Sequence, residues 1–245
     1  MYALYAFVRT ADNFVDQPPG LQDGRGFDRF REDYVRAVAS GSHSNHIINS
    51  FVELSMRKQF HSEWVDSFLD AMAQDLTQSQ YVTIDDTLQY MYGSAEVIGL
   101  MMASIMELPQ RAHGPARLLG RAMQYINFIR DISEDLQLGR TYLPLKEIEA
   151  AGLNSLRPED VRRNPSAFRQ FVRDEIERYI GWQKVAETGF CFIPRRPRVA
   201  ICTASAMYRW TARRIFRDPI IVFHKKVKPS IGRIFSTIAI STLRG

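Results

Sequence analysis

The sequence lacks several features that mark other classes of protein. Its 245 residues contain only two cysteines, Cys191 and Cys202, which are too few for a disulfide framework and lack the paired spacing of a zinc site. None of the five histidines follows a glutamate by three residues, so the pattern of a di-iron bundle is absent. The glycine patterns of phosphate-binding loops and dinucleotide folds are absent too. Any bound phosphate must therefore be held by side chains and metal.

Long apolar runs are also absent. The longest nearly uncharged stretch, 97–106, is much shorter than the roughly 20 residues that a membrane-spanning helix needs. The first residues lead directly into charged amphipathic sequence, without the basic region and cleavage site of a secretory signal. We therefore expect a cytoplasmic protein with a reducing environment.

Positive charge is concentrated near the end of the chain. The net charge is +5, and from residue 195 onward there are twelve Lys and Arg residues and one acidic residue. Such a segment suits nucleic acid, an anionic membrane surface or phosphorylated substrates. No nucleic-acid-binding motif accompanies the charge, so nucleic acid is the weakest of these partners. We expect phosphorylated substrates and peripheral contact with the inner face of the membrane.

Helical periodicity extends over almost the whole chain. Apolar residues recur three and four positions apart in segments such as LLGRAMQYINFIRDI (118–132) and FRQFVRDEIERYI (168–180), whereas alternating, strand-like runs are nearly absent. Proline and glycine separate these segments. With 45% apolar residues, the chain can close one large core. We predict one all-α domain over residues 1–245, with about eight to ten helices.

Two aspartate pairs have a spacing that matters chemically. Asp12 and Asp16 are four residues apart, as are Asp131 and Asp135, so each pair projects from one helix face. Like charges at this spacing repel, and a solvated surface that tolerates them is the simplest explanation. Both pairs, however, lie in segments rich in Phe, Tyr, Ile and Val, where unpaired carboxylates are costly to bury. We therefore expect a cation to hold them.

Magnesium is the cation that fits best, with manganese as an alternative. Magnesium is commonly held by one or two carboxylates, water and substrate phosphate, and it neutralises charge on a diphosphate leaving group. Arg9 lies three residues before Asp12, and Arg130 adjoins Asp131. A guanidinium at either position can grip phosphate or orient a carboxylate. Together these residues predict a metal-dependent diphosphate site.

Two long stretches carry a family resemblance. QYINFIRDISEDLQLGRTYLP (124–144) resembles the second aspartate-rich signature of the squalene/phytoene synthase family, and YALYAFVRTADNFVD (2–16) resembles the first. The resemblance covers nearly the whole chain. It implies an isoprenoid-synthase helical bundle around a central apolar cavity. It also implies head-to-head condensation of two prenyl diphosphates. Family members usually carry some tens of residues before the first signature, and we expect this chain to lack that segment.

The resemblance also implies roles for individual residues. The implied metal ligands are Asp12, Asp16, Asn127, Asp131 and Asp135. The four aspartates, Arg9 and the cavity residue Tyr90 are implied to be catalytic. The implied substrate-binding residues are Tyr5, Arg9, Gln124, Asn127, Arg130, Arg140, Tyr208, and Lys225 or Lys226. A membrane-bound basic tail explains the two lysines about equally well. Small residues would leave room for a prenyl chain or allow close helix packing: Gly93, Ser94, Ala95 and Gly99.

The expected product is phytoene, from two geranylgeranyl diphosphates through a cyclopropylcarbinyl diphosphate. The second signature is most like that of prokaryotic carotenoid enzymes, and no C-terminal membrane anchor is present. The alternatives are a squalene or dehydrosqualene synthase that uses farnesyl diphosphate, with NADPH needed only for squalene, and a non-catalytic assembly factor. Such factors lose the aspartates, which are retained here. A terpene cyclase would need an Asp-Asp-x-x-Asp cluster, which Asp85-Asp86 does not complete. The sequence does not indicate an oligomeric state.

Overall fold

Helices account for nearly all regular structure in the computed structural model, which describes residues 1–17, 20–234 and 237. In this part of the chain the α-helices are α1 (Tyr2–Val15), α2 (Gly24–Ser40), α3 (His46–Lys58), α4 (Ser62–Gln74), α5 (Ile84–Met91), α6 (Val97–Ile105), α7 (His113–Arg130), α8 (Ile132–Gln137), α9 (Leu145–Ala150), α10 (Pro158–Arg163), α11 (Pro165–Glu187) and α12 (Arg195–Arg217). A π-helical turn (Tyr92–Glu96) joins α5 to α6. Short 3-10 turns lie at Gln110–Ala112, Thr188–Phe192 and Pro219–Phe223. The all-α prediction is confirmed.

The predicted number of helices is too low. The described residues form twelve α-helices, because the helix predicted through the second aspartate pair divides into α7 and α8 at Asp131, and because the short helices α9 and α10 form between the proline and glycine breakers. The only β-type pairing among the described residues is an isolated parallel bridge between Gln80 and Thr141. No helix in the described ranges is both long and apolar enough to cross a membrane.

The position of α1 follows from its apolar face. Phe7 and Ala11 are fully buried and Val15 is 1% exposed, whereas the side chains of Arg9 and Asp12 lie on the opposite, accessible face. Phe7 stacks on Phe51 of α3, with ring centroids 3.8 Å apart. Burying aromatic rings of this size is strongly favourable and fixes the rotation of α1 about its axis. This rotation directs the first aspartate pair away from the aromatic core.

The centre of the molecule is α7, which packs against α6, α11, α12 and the π-helical turn. Its buried residues Ala122, Tyr125, Ile126 and Ile129 are three and four positions apart, so one continuous stripe faces the core. One connected apolar core extends from Leu4 to Val227. The long helices therefore surround a single core and bring the C-terminal end of α7 close to the end of α1.

The Asp85-Asp86 pair has a structural explanation. The Thr83 hydroxyl accepts a hydrogen bond from the Asp86 amide at 3.2 Å, and the Asp86 carboxylate accepts one from the Thr83 amide at 2.8 Å. This reciprocal arrangement is a capping box, which satisfies amides that the first turn of a helix leaves free. The pair therefore begins α5.

Candidate active site

The first aspartate pair lies at the C-terminal end of α1. The Arg9 guanidinium is 2.6 Å from the Asp12 carboxylate, and their side chains are 53% and 35% exposed. Burial and the neighbouring Asp16 carboxylate raise the pKa of Asp12, an effect that Arg9 partly offsets. Asp16 lies one residue beyond the helix, with φ −85° and ψ 51°, and its amide still donates to the Asp12 carbonyl at 2.8 Å. The two carboxylates therefore keep nearly the helical spacing.

The second pair lies where α7 meets α8. Asp131 interrupts the helix with φ −100° and ψ 13°, so the pair does not occupy one continuous helix as its spacing predicts. The Asp131 and Asp135 amides still donate to the carbonyls four residues earlier, each at 2.8 Å. Arg130 holds Asp131 through both of its carboxylate oxygens, and both side chains are largely buried. Such a bidentate pair fixes geometry more firmly than a single contact does.

The two pairs face each other. Burial and the neighbouring Asp131, Glu134 and Asp16 carboxylates together raise the pKa of Asp135 to about 8, against the opposing effect of Arg140. Asp16 can act on Asp135 only because the end of α1 lies near the beginning of α8. The site thus concentrates negative charge, and a charge of this sign attracts a cation.

A lysine from the C-terminal basic segment reaches this negative site. The Lys226 ammonium is 3.4 Å from the Asp131 carboxylate and also pairs with Glu134. The Lys225 side chain makes no hydrogen bond or ion pair among the described residues, so the structure favours Lys226 of the two predicted lysines. Glu134 was not singled out from the sequence, although it lies inside the second signature.

A large cavity begins beside the second pair. It has a volume of about 560 Å³, which is within the range of small-molecule sites, and its wall is mainly aliphatic. Gln124, Asn127 and Tyr208 border it, and of these the resemblance implies a cavity position for Tyr208. The Asn127 side-chain oxygen is buried without a hydrogen-bond partner in the described part of the chain. An unsatisfied oxygen of this kind suits a metal or ligand contact.

Small residues both line the cavity and allow close helix packing. Ser94, Ala95 and Gly99 border the cavity. A Cβ at Gly99 would also lie 2.3 Å from the Ala116 carbonyl oxygen of α7, so Gly99 serves both purposes. Gly93 serves packing alone, because a Cβ there would lie 2.2 Å from the Ser67 carbonyl oxygen of α4 and Gly93 is not among the residues that border the cavity. The small residues of this segment therefore both border the cavity and allow close helix packing.

Two predicted residues occupy unexpected positions. The prediction that Tyr90 lines the cavity is wrong, because its ring is 3% exposed and its hydroxyl donates to the Asp75 carboxylate at 2.8 Å. Arg140 is 6% exposed and donates to the Val15 carbonyl at 2.7 Å and to the Tyr142 hydroxyl at 3.2 Å. Its guanidinium faces protein atoms, which does not support the expected contact with substrate.

Tyr5 is exposed on α1. It is 69% exposed and its side chain makes no hydrogen bond or ring contact within the described residues, so its role in substrate binding stays a prediction. The sequence also gave no indication of Asp75, a buried acid that lies in a polar stretch without a recognisable motif.

The arrangement suits a hard divalent cation. In the described ranges no three acidic, histidine or cysteine side chains converge on one point that could hold a metal. Magnesium there would use one or two carboxylates and take its other ligands from water and phosphate, as it commonly does. The excess of carboxylates, the unsatisfied Asn127 oxygen and the lysine already drawn to Asp131 all fit such an ion.

A helical bundle with an apolar cavity and facing aspartate pairs defines the class as an isoprenoid synthase fold. Solved structures agree. A dehydrosqualene synthase in complex with ligand superposes with a TM-score of 0.86 at 22% identity, covering 99% of this chain and 85% of that one. A squalene synthase from Alicyclobacillus acidocaldarius gives a TM-score of 0.75 at 22% identity over 92% and 84% of the two chains.

Sequence comparison identifies the family of the chain within this fold class. It is 32% identical to a 15-cis-phytoene synthase of Pantoea ananas over 84% of this chain and 70% of that protein. It is 27% identical to a 15-cis-phytoene synthase of Paracoccus sp. over 93% and 76% of the two. The family profile "Squalene/phytoene synthase" matches residues 1–233. The chain belongs to the squalene/phytoene synthase family, whose enzymes are prenyltransferases.

Proposed function

We propose that this protein condenses two geranylgeranyl diphosphates head to head to form phytoene. The observation that carries the proposal is the position of two facing aspartate pairs beside one end of an apolar cavity. This arrangement suits a substrate with a diphosphate head and a long hydrocarbon chain. The curated relatives named phytoene synthases support the choice of a C40 product.

Five residues would hold magnesium in this proposal: Asp12, Asp16, Asn127, Asp131 and Asp135. When bound, the ion neutralises the charge that develops on the departing diphosphate. Manganese has similar ligand preferences and is expected to substitute for it. The two pairs come from separate helices, so they can clamp a diphosphate between them.

Three cationic side chains would grip the diphosphate: Arg9, Arg130 and Lys226. In the ligand-free structure each is already paired with a carboxylate of the site. Phosphate oxygens offer the same geometry, so the guanidiniums can contact the leaving group without large movement. Gln124 and Asn127, on the cavity side of the second pair, would orient the first carbon atoms of the chain.

The bond changes balance without an external oxidant or reductant. Loss of diphosphate from the first substrate leaves an allylic cation, and the C2–C3 double bond of the second attacks its C1. Loss of a proton closes a cyclopropane, giving the cyclopropylcarbinyl diphosphate. Loss of the second diphosphate, rearrangement and loss of another proton join the two former C1 atoms in phytoene. Squalene would instead require a hydride, which NADPH supplies.

The cavity wall has two tasks in this chemistry. Its aliphatic side chains exclude water, which would quench the cations. Tyr208 and Phe190 also border the cavity and offer aromatic faces that stabilise positive charge. The aromatic faces and the departing diphosphate together would guide the cation to the second substrate.

The decisive experiment is incubation of the protein with Mg²⁺ and labelled farnesyl or geranylgeranyl diphosphate, with and without NADPH. We expect a C40 hydrocarbon from geranylgeranyl diphosphate that does not depend on NADPH. A C30 product would instead indicate dehydrosqualene synthesis, and its dependence on NADPH would indicate squalene synthesis. The absence of hydrocarbon under all conditions would overturn the proposal and favour a non-catalytic assembly factor.

We also propose peripheral contact with the inner face of the membrane. The product is wholly apolar, and the segment from residue 195 onward is strongly basic, which suits an anionic lipid surface. Co-sedimentation with vesicles tests this: binding to anionic but not to neutral vesicles, weakened by salt, is the expected result. Equal recovery with both vesicle types would contradict it.

A further inference from the structure

We propose that Asp75 is a positioning residue that restrains Arg140 and thereby sets the spacing between the two aspartate pairs. Asp75 immediately follows α4, and no aspartate motif contains it. The inference rests on the proposed function, because it assigns a role in building the metal and diphosphate site. It concerns residues outside the cavity wall.

The Asp75 carboxylate is held in a buried aromatic pocket. The residue is 7% exposed, and its carboxylate accepts hydrogen bonds from the Tyr90 hydroxyl at 2.8 Å and the Tyr142 hydroxyl at 3.0 Å. The Tyr142 ring stacks between Tyr90 and Phe128, with centroid distances of 5.3 Å and 4.4 Å. Rings packed in this way leave the carboxylate little freedom, so Asp75 is a rigid anchor.

Arg140 connects this anchor to both aspartate pairs. Its backbone amide donates to the Asp135 carbonyl at 2.8 Å, which ties it to the second pair. Its guanidinium donates to the Val15 carbonyl at 2.7 Å and lies 3.7 Å from the Asp16 carboxylate, which ties it to the first. The same guanidinium donates to the Asp75 carbonyl at 3.3 Å. One residue thus spans the ends of α1 and α8.

Gln22 strengthens this connection. Its side-chain amide donates to the Val15 carbonyl at 2.8 Å and to the Asp75 carbonyl at 3.0 Å. The last carbonyl of α1 is therefore held against the end of α4 by two side chains. Because Asp16 follows Val15 directly, its position depends on these contacts.

The negative charge of the Asp75 carboxylate also acts on the Arg140 guanidinium. Burial raises the pKa of Asp75 to about 6, against the opposing effects of Arg140 and the two tyrosine hydroxyls, so the carboxylate is mostly ionised at neutral pH. Its negative charge attracts the guanidinium toward the core. Without that charge, Arg140 would shift toward the metal-binding carboxylates, pair with them and compete with Mg²⁺. The expected defect is therefore weaker metal binding.

The test compares Asp75→Asn with Glu175→Gln. Glu175 is an equally buried carboxylate that accepts a hydrogen bond from Tyr125 and pairs with Arg178, and it lies in α11 outside the Asp75 network. Hydrocarbon formation is titrated with Mg²⁺. Asp75→Asn should raise the Mg²⁺ concentration for half-maximal activity about tenfold, typical of residues that support metal ligands, and saturating Mg²⁺ should largely restore kcat. Glu175→Gln should leave this concentration unchanged.

A binding measurement separates this inference from the proposed function. Thermal unfolding is followed in EDTA and with Mg²⁺ plus inorganic diphosphate, which requires no turnover. If the wild type makes no hydrocarbon but is stabilised by the two ligands, a smaller stabilisation in Asp75→Asn still supports the positioning role. Equal stabilisation in Asp75→Asn and Glu175→Gln would overturn it.

Tyr142→Phe and Tyr90→Phe provide variants that keep the buried rings. Each removes one hydroxyl from the Asp75 carboxylate, so each should shift the Mg²⁺ requirement in the same direction by less than Asp75→Asn. If Asp75→Asn does not fold, these variants decide the question. Unchanged Mg²⁺ requirements in both would contradict the proposed restraint.

Discussion

The two aspartate motifs have the same four-residue spacing but different surroundings. Asp12 and Asp16 lie at the accessible end of α1, where their side chains are 35% and 48% exposed. Asp131 is 16% exposed, is held by Arg130 and is approached by Lys226. Asp135 is half-buried near three other carboxylates, and its pKa is raised to about 8. Equal spacing in sequence therefore does not imply equal electrostatics.

This difference suggests a division of work. The second motif places carboxylates close together in a rigid position, and the proposed metal would relieve their mutual repulsion. The first motif is more accessible and can adjust to substrate and metal. Functional sites commonly hold like charges close together, and the repulsion between these charges lowers the stability of the protein.

The largest expected effect is the loss of turnover when either motif is broken. We expect Asp131→Ala and Asp12→Ala each to reduce kcat by about 10²- to 10³-fold or more, because each removes a carboxylate that holds the ion opposite the leaving group. Product formation at saturating Mg²⁺ measures this. The matched control is Asp85→Ala, an exposed acid in the first turn of α5. An undiminished rate in both site variants would refute the metal site.

Metal removal is expected to have the next largest effect. At about 100 times the dissociation constant, Mg²⁺ with inorganic diphosphate should stabilise the wild type by about 2.7 kcal/mol, or roughly 5–10 °C in Tm. Asp131→Ala and Asp12→Ala should both lose most of this gain, because the proposed ligand lies between the motifs. Differential scanning fluorimetry with and without EDTA measures the shift. Loss in one variant alone would show that a single motif binds the ion.

Removing the cationic partners should distinguish the motifs further. Lys226→Met should raise KM for the prenyl diphosphate about tenfold, the equivalent of one charge-assisted hydrogen bond. Arg9→Met should have a smaller effect, because the Arg9 side chain is 53% exposed and Lys226 is 31% exposed. Initial rates over a range of substrate concentrations give both values, with Lys225→Met as the neighbouring control. A larger effect for Arg9→Met would reverse the assigned order.

The smallest expected effect is on the stability of the metal-free protein. Asp135→Asn should increase the free energy of unfolding at neutral pH by about 1 kcal/mol, because a carboxyl whose pKa is raised to about 8 must take up a proton on folding, a cost that the neutral asparagine avoids. Asp16→Asn should change it by less than about 0.5 kcal/mol, since that side chain is 48% exposed. Urea unfolding in EDTA measures both. Equal changes in the free energy of unfolding in the two variants would contradict the proposed electrostatic difference between the motifs.

Several parts of the site follow from local sequence, because they depend on residues within one or two helical turns. The pairing of Arg9 with Asp12 follows from their three-residue spacing, whereas the pairing of the adjacent Arg130 and Asp131 does not follow from helical spacing. The buried stripe of α1 follows from apolar residues three and four positions apart. The resemblance also implied a cavity position for Tyr208, which borders the cavity in the structure.

Other parts could not be predicted from local pattern. Tyr90 was expected to border the cavity, but its hydroxyl finds a partner in Asp75, fifteen residues away in sequence. Arg140 was expected to contact substrate, but its guanidinium donates hydrogen bonds to the carbonyls of Val15 and Asp75. A side chain's direction in a helix is set by rotation of the whole helix, which the packing of distant apolar residues decides.

The sequence alone determined the all-α class, the family and the charged residues that we propose for the diphosphate site. The tertiary structure decided how those charges differ: it brought Asp135 close to three other carboxylates, left Asp16 exposed, brought Lys226 to Asp131 and turned Arg140 toward the core. The reason is physical. Helical spacing depends on neighbours within a few residues, whereas burial and the facing charges depend on contacts such as that of Arg140 with Val15, 125 residues apart in the chain.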